Sequence, residues 1–114
     1  MSDNPVFARI EKDLKENDIV LYMKGSKQIP QCGFSATVVQ VLARLGINNF
    51  KDVNVLEDKE VWQGIKDFSD WPTIPQLFIK GELIGGCDIT REMYQSGELQ
   101  ELLKSKGIEI KESN

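Results

Sequence analysis

The chain of 114 residues contains no histidine. That excludes imidazole acid–base catalysis and histidine-ligated metal centres, so any metal chemistry has to run on sulfur or carboxylate. Cysteine is scarce as well. Cys32 and Cys87 are the whole supply, too few for the disulfide framework of a small secreted domain and suited to a reducing compartment. No apolar run approaches the ~20 residues of a membrane span. Met1-Ser2-Asp3-Asn4 has neither the basic nor the apolar segment of a secretory signal, so a cytoplasmic protein with no membrane partner is expected. There is no basic stripe and the net charge is −4, which argues against nucleic acid as a partner. What is present is 40% hydrophobic and 28% charged, the composition of one globular domain able to bury a core without staples.

Asn4 and Pro5 read as the cap and first position of a helix over 5–16, with Val6, Phe7, Ile10 and Leu14 at helical spacing. Ile19 to Met23 is an apolar run that predicts a buried strand. A helix follows the Cys32 loop to about Leu45, where Gly46 ends it. Phe50, Val53 and Val55 support a second strand, and Val61, Ile65 and Phe68 a helix over 56–68 with Glu57 or Asp58 in its first turn. Residues 76–79 and 83–85 read as a hairpin around Lys80-Gly81-Glu82. Asp88 is expected to cap a helix over 89–95, and Leu99, Leu102 and Leu103 mark a last helix to about Lys106. The first two strands, joined through a helix, should be parallel and the last two antiparallel. The expected fold class is α/β, a four-stranded mixed sheet flanked by helices. Residues 1–106 form a single domain in this reading, and 107–114 a frayed C-terminal tail.

The stretch Lys24-Gly25-Ser26-Lys27-Gln28-Ile29-Pro30-Gln31-Cys32-Gly33-Phe34-Ser35 carries the chemistry. Cys32 is placed on a strand-to-helix turn, with Gly33 behind it supplying freedom to turn tightly. A thiol there faces the unpaired N–H groups and positive dipole end of the new helix, which favours thiolate. Lys24, at the start of the loop, adds a cation. Dithiol C-x-x-C sites carry a second cysteine three residues on, and here that residue is Ser35. A hydroxyl cannot form an S–S bond, so the site keeps an activated thiolate without an internal resolving partner. The competing reading is an inert cysteine buried at a helix start.

Cys32-Gly33-Phe34-Ser35, Trp71-Pro72-Thr73-Ile74-Pro75-Gln76 and Gly85-Gly86-Cys87-Asp88, in this order, resemble the monothiol glutaredoxins of the CGFS type, single-domain bacterial form, over residues 5–106. The resemblance implies the thioredoxin fold, a cis bond before Pro75, and a glutathione groove beside Cys32. A cis X–Pro bond presents the preceding main chain outward, so Ile74 is positioned to pair with a peptide-like ligand as an added strand. By the same resemblance Lys24 faces a glutathione carboxylate, and Cys87 and Asp88 bind the γ-glutamyl end. One position departs from the family. Its arginine on the third helix is here Trp62, which cannot form an ion pair; Lys66, one turn on, is the substitute cation, and Trp62 itself reads either as a groove residue or as packing. Cys87 reads either as a small residue of the ligand loop or as a disulfide partner of Cys32. Trp71 and Phe68 read as core.

Two functions of different class follow. A 2Fe–2S cluster wants four sulfur ligands; Cys32 from each chain of a homodimer and two glutathiones complete that set. The resemblance implies such cluster binding and its transfer to apo iron–sulfur proteins, with a BolA-like protein as a further partner. The alternative is a glutathione-dependent thiol–disulfide oxidoreductase that removes glutathione from mixed disulfides, for which the resemblance implies weak activity. A third reading, a purely scaffolding thioredoxin-like module, leaves Cys32 idle.

Overall fold

The computed structural model of the protein describes residues 4–112; the expectations for Met1-Ser2-Asp3 and for Ser113-Asn114 lie outside them. Helix α1 (Pro5–Glu16) begins where the Asn4 side chain accepts the Val6 N–H at 3.0 Å. It leads into β1 (Ile19–Met23), α2 (Gly33–Arg44) and β2 (Lys51–Asn54). A single 3-10 turn (Val55–Glu57) then precedes α3 (Lys59–Ser69), the hairpin β3 (Gln76–Ile79) and β4 (Glu82–Gly85), α4 (Cys87–Ser96) and α5 (Glu98–Ser105). The four strands lie in the order β2-β1-β3-β4, with β1 parallel to β2 and antiparallel to β3, and β3 antiparallel to β4. This is the thioredoxin-like α/β architecture with its mixed sheet, as the sequence implies.

Burial explains the unbroken apolar run of β1. Its alternating side chains feed two cores, one on each face of the sheet. Ile19, Leu21 and Met23 meet Val38 and Leu42 of α2 and Leu99 and Leu103 of α5. Val20 and Tyr22 meet Val6 and Ile10 of α1 and Val61 and Ile65 of α3. All five residues of the strand are buried. Phe68, expected in the core, packs edge-on to Phe7 with ring centroids 5.3 Å apart.

Two helix starts differ from the sequence reading. The third helix begins at Lys59, three residues later than expected. The Asp58 carboxylate accepts the Glu60 and Val61 N–H groups at 3.1 and 3.2 Å, so it caps the helix instead of sitting inside its first turn. The Arg9 guanidinium at 2.9 Å holds that carboxyl below the usual carboxylate range, aided by the Val61 N–H. The fourth helix begins two residues earlier than expected, with Gly86 at its cap. Asp88 therefore lies in the first turn and pairs with Arg91 at 3.2 Å instead of capping. The tail was expected to be frayed from residue 107. Over 107–112 it lacks regular structure but is held, because Ile108 and Ile110 pack on the α2/α5 core and the Lys111 N–H donates to the Leu45 carbonyl at 2.8 Å.

Helices α1 and α3 approach closely at Gly64, where an added Cβ would collide with Val6 Cγ1. Gly64→Ala is expected to destabilise by about 1–2 kcal/mol, since overpacking outweighs the gain in helix propensity. Thermal unfolding should show a lower Tm, and adding Val6→Ala, which removes the colliding methyl, should make the Gly64→Ala step less costly than in the parent.

Candidate functional site

The loop between β1 and α2 is a small, tied structure. The Gln31 N–H donates to the Lys24 carbonyl at 2.9 Å and the Ser26 N–H to the Ile29 carbonyl at 3.2 Å. Gly25 sits at φ +91°, and a Cβ there would lie 2.5 Å from the Ile29 oxygen, so only glycine closes this turn. The loop is anchored on the neighbouring strand. Asn54 Oδ1 accepts the Gly25 N–H and Asp52 Oδ2 the Lys27 N–H, both at 2.9 Å. Lys27 Nζ donates to the Phe50 and Asn48 carbonyls at 2.8 and 3.1 Å.

Cys32 stands at the end of this loop as the N-cap residue of α2, partly exposed. Its thiol pKa is lowered. The Ser35 main-chain N–H is the largest cause; partial burial opposes it, and the Phe34 N–H, the Lys24 charge and the Ser35 hydroxyl add to the lowering. A thiolate is thus stabilised by donors already unpaired at a helix start. Gly33 behaves differently from expectation. Its φ is not left-handed and nothing lies within 4 Å of where its Cβ would stand. The turn does not need a glycine; its absent side chain leaves open space beside the thiol.

Ser35 does more than lack sulfur. It is fully buried, and its Oγ accepts the Lys24 N–H at 3.1 Å. The hydroxyl therefore joins the two ends of the loop under Cys32, while its own proton remains for the thiolate. The sequence flagged Ser35 only as the missing second thiol. The pin to Lys24 spans eleven residues, a tertiary contact that no local pattern encodes.

Beside Cys32 runs a groove of about 470 Å³, a size suited to a small ligand. Lys24, Trp62, Ile74, Pro75, Cys87 and Asp88, scattered in sequence, all line it. Cys32 itself is not in the lining. Phe34, two residues further along, and Lys24, across the loop from it, form part of the wall. Trp71, read from sequence as core, is in the wall too, along with Pro72, Thr73 and Lys66. The Ile74-Pro75 peptide is cis. Among the described residues the Ile74 N–H and carbonyl make no hydrogen bond, and Ile74 lines the groove. Gly86 brings the start of α4 against this loop, where an added Cβ would stand 3.2 Å from the Pro75 carbonyl. Cys87 is buried at 7% exposure and is a free thiol, as is Cys32. At one end of the groove Lys24 Nζ and Lys66 Nζ lie 5.5 and 5.8 Å from the Trp62 ring centroid.

Gln76, buried in β3, holds the shape of the 71–75 loop. Its Nε2 donates to the Trp71 and Thr73 carbonyls at 2.9 and 3.2 Å. Gln76→Leu removes both N–H contacts to these part-buried carbonyls, so a loss of about 1 kcal/mol is expected in urea unfolding, with an unchanged m-value.

Comparison with known proteins agrees with this geometry. The family model for Glutaredoxin matches residues 19–84. A protein of Rickettsia conorii named probable monothiol glutaredoxin 2 is 57% identical over 105 residues, covering 92% of this chain and 97% of the relative. Glutaredoxin 4 of Escherichia coli is 48% identical over 103 residues, covering 90% of this chain and 89% of its own length. The solution structure of reduced poplar apo GrxS14 superposes with a TM-score of 0.79 at 51% identity, covering 88% of this chain and 91% of that one. No helix among the described residues is long and apolar enough to cross a membrane.

Proposed function

Since the chain belongs to the glutaredoxin family as a monothiol glutaredoxin, we propose that it binds glutathione in the groove beside Cys32 and carries a 2Fe–2S cluster between two copies of itself for delivery to apo iron–sulfur proteins. The observation that carries this reading is the pairing of one stabilised, accessible thiolate with an adjacent peptide-sized groove and no second thiol at Ser35. In the groove, the Ile74 main chain pairs with the cysteinyl part of glutathione, which brings its sulfur towards Cys32. Lys24 meets a carboxylate. The α4 start at Cys87, with Asp88 beside it, receives the γ-glutamyl amine and carboxylate.

The donor set fits a shared cluster. Among the described residues no group of three or more Cys, Asp or Glu is placed to hold a metal, and Cys87 is enclosed. A single chain thus offers one sulfur ligand, and four are required. The second Cys32 and two glutathione thiolates complete them. The exposed side chains of Ile29 and Phe34, 70% and 63% accessible, flank Cys32 and give the second copy an apolar rim to meet. The proposal takes residues 1–106 as one functional domain with 107–114 as its tail, a cytoplasmic setting, and a BolA-like protein as an additional partner. Anaerobic reconstitution with glutathione, read by visible absorption, iron content and molecular size, tests it.

The lowered pKa of Cys32 also favours a second activity, weak deglutathionylation. The Cys32 thiolate attacks the glutathione sulfur of a mixed disulfide, releasing the target thiolate. Ser35 cannot resolve the product, so a second glutathione thiolate must displace Cys32 and leave as glutathione disulfide. Turnover that persists in cluster-free protein and scales with free glutathione is the expected signature.

A further inference from the structure

Lys24 and Lys66 come from different parts of the fold, the loop just after β1 and the last turns of α3, yet both ammonium groups lie over one indole ring. Neither has an ion-pair or hydrogen-bond partner for its Nζ among the described residues. Two unneutralised cations in one cleft repel each other, and the negative face of an indole is the feature that offsets this. Trp62 is partly buried, packs on the α1/α3 core and lines the groove, so its ring is a fixed platform. Lys66 is one helical turn from it, the spacing that sets neighbouring side chains together. The acidic and helix-start features of the groove, Asp88 and the first turn of α4, belong to other elements. The groove therefore has a cationic seat at Trp62.

We propose that Trp62 is a specificity-determining residue, its indole holding Lys24 and Lys66 as a paired-cation seat that selects extended thiol peptides with a free carboxylate at that end. This rests on the reading that the groove binds glutathione. It adds that selection by charge depends on an uncharged aromatic residue. An aliphatic residue at 62 would leave both lysines in the sequence but no longer held together, and each would move outward into water.

The test is calorimetric titration of the full-length protein with glutathione and with its glycyl monoethyl ester, which is neutral at that carboxyl. The native protein should prefer the acid by about tenfold, the scale of one charge-assisted contact. Trp62→Phe should keep that preference within about twofold because a ring face remains, whereas Trp62→Leu should bring it towards unity. Lys66→Ala, with Trp62 intact, should also lower it. A merely structural role for Trp62 would weaken acid and ester alike. An unchanged acid-to-ester ratio in folded Trp62→Leu overturns the role of Trp62 alone. Glutathione that fails to bind the native protein overturns the glutathione reading and the seat with it.

Discussion

Cys32→Ala protein is expected to emerge from anaerobic reconstitution with iron, sulfide and glutathione without a cluster, colourless and monomeric. Cys87→Ala protein should emerge coloured and dimeric, with weaker glutathione binding. The contrast follows from position. Cys32 is partly exposed at a helix start that stabilises its thiolate, whereas Cys87, in the groove wall, is buried at 7% exposure. With no histidine in the chain and four sulfur ligands to find, removal of Cys32 takes away the only protein ligand each copy offers in this proposal. The loss should be complete, not graded. Native protein reconstituted without any added thiol should likewise stay clusterless, because in this proposal two ligands come from glutathione. Since the proposed cluster joins the two copies, chelating its iron should return the dimer towards monomer. Full cluster content on Cys32→Ala protein, or assembly without an added thiol, would leave the oxidoreductase as the better account.

Alkylation should separate the two thiols as sharply. At neutral pH Cys32 is expected to react at least about tenfold faster than Cys87, because its own thiol pKa is lowered and it is the more open of the two. The pH profile of the Cys32 rate should have its midpoint shifted below that of an ordinary thiol. Ser35→Ala should raise that midpoint only part of the way. The Ser35 and Phe34 main-chain N–H groups survive the substitution, and the Ser35 N–H is the largest cause of the lowering, whereas the hydroxyl is the last in order. The same shift enters stability. An acid whose pKa is depressed by folding binds more protons when unfolded, so stability rises as pH climbs through the folded midpoint towards the ordinary thiol value. Cys32→Ala should flatten that rise. Equal or reversed reactivity of Cys32 and Cys87 would contradict the assignment.

Most of this architecture was readable from the chain because its signals are local and redundant. The Ile19–Met23 run is buried on both faces, and such a strand reads as continuous apolar sequence. The three motifs at Cys32, Trp71–Gln76 and Gly85–Asp88 fall on the turns that the fold gathers at one end of the sheet. Helix starts were less legible. Asp58 could sit in a first turn or cap it, and only the path of the main chain decides; Asp88 was assigned the cap that belongs to Gly86. The supports of the site were hidden for a different reason. Ser35 under Lys24 and Asn54 under Gly25 are polar side chains paired across the fold, and Gln76 holds the Trp71–Pro75 loop through its amide nitrogen. Their partners are main-chain groups, which leave no mark in the sequence. The pairing of Lys24 and Lys66 on Trp62 depends on two elements meeting, and residue spacing shows only half of it.

Trp62 and Trp71 are the only tryptophans in the chain, and both stand in the wall of the same groove. The protein is therefore its own optical probe. Its tryptophan emission, excited beyond the absorption of Tyr22 and Tyr94, reports the groove without a dye or a label. Quenching on addition of glutathione would follow occupancy of the proposed site, and Trp71→Phe would isolate the light from Trp62 beside its two ammonium groups. A visible-absorbing cluster held at the neighbouring Cys32 would accept energy from both rings, so cluster arrival and departure can be timed from the dimming and recovery of the same emission.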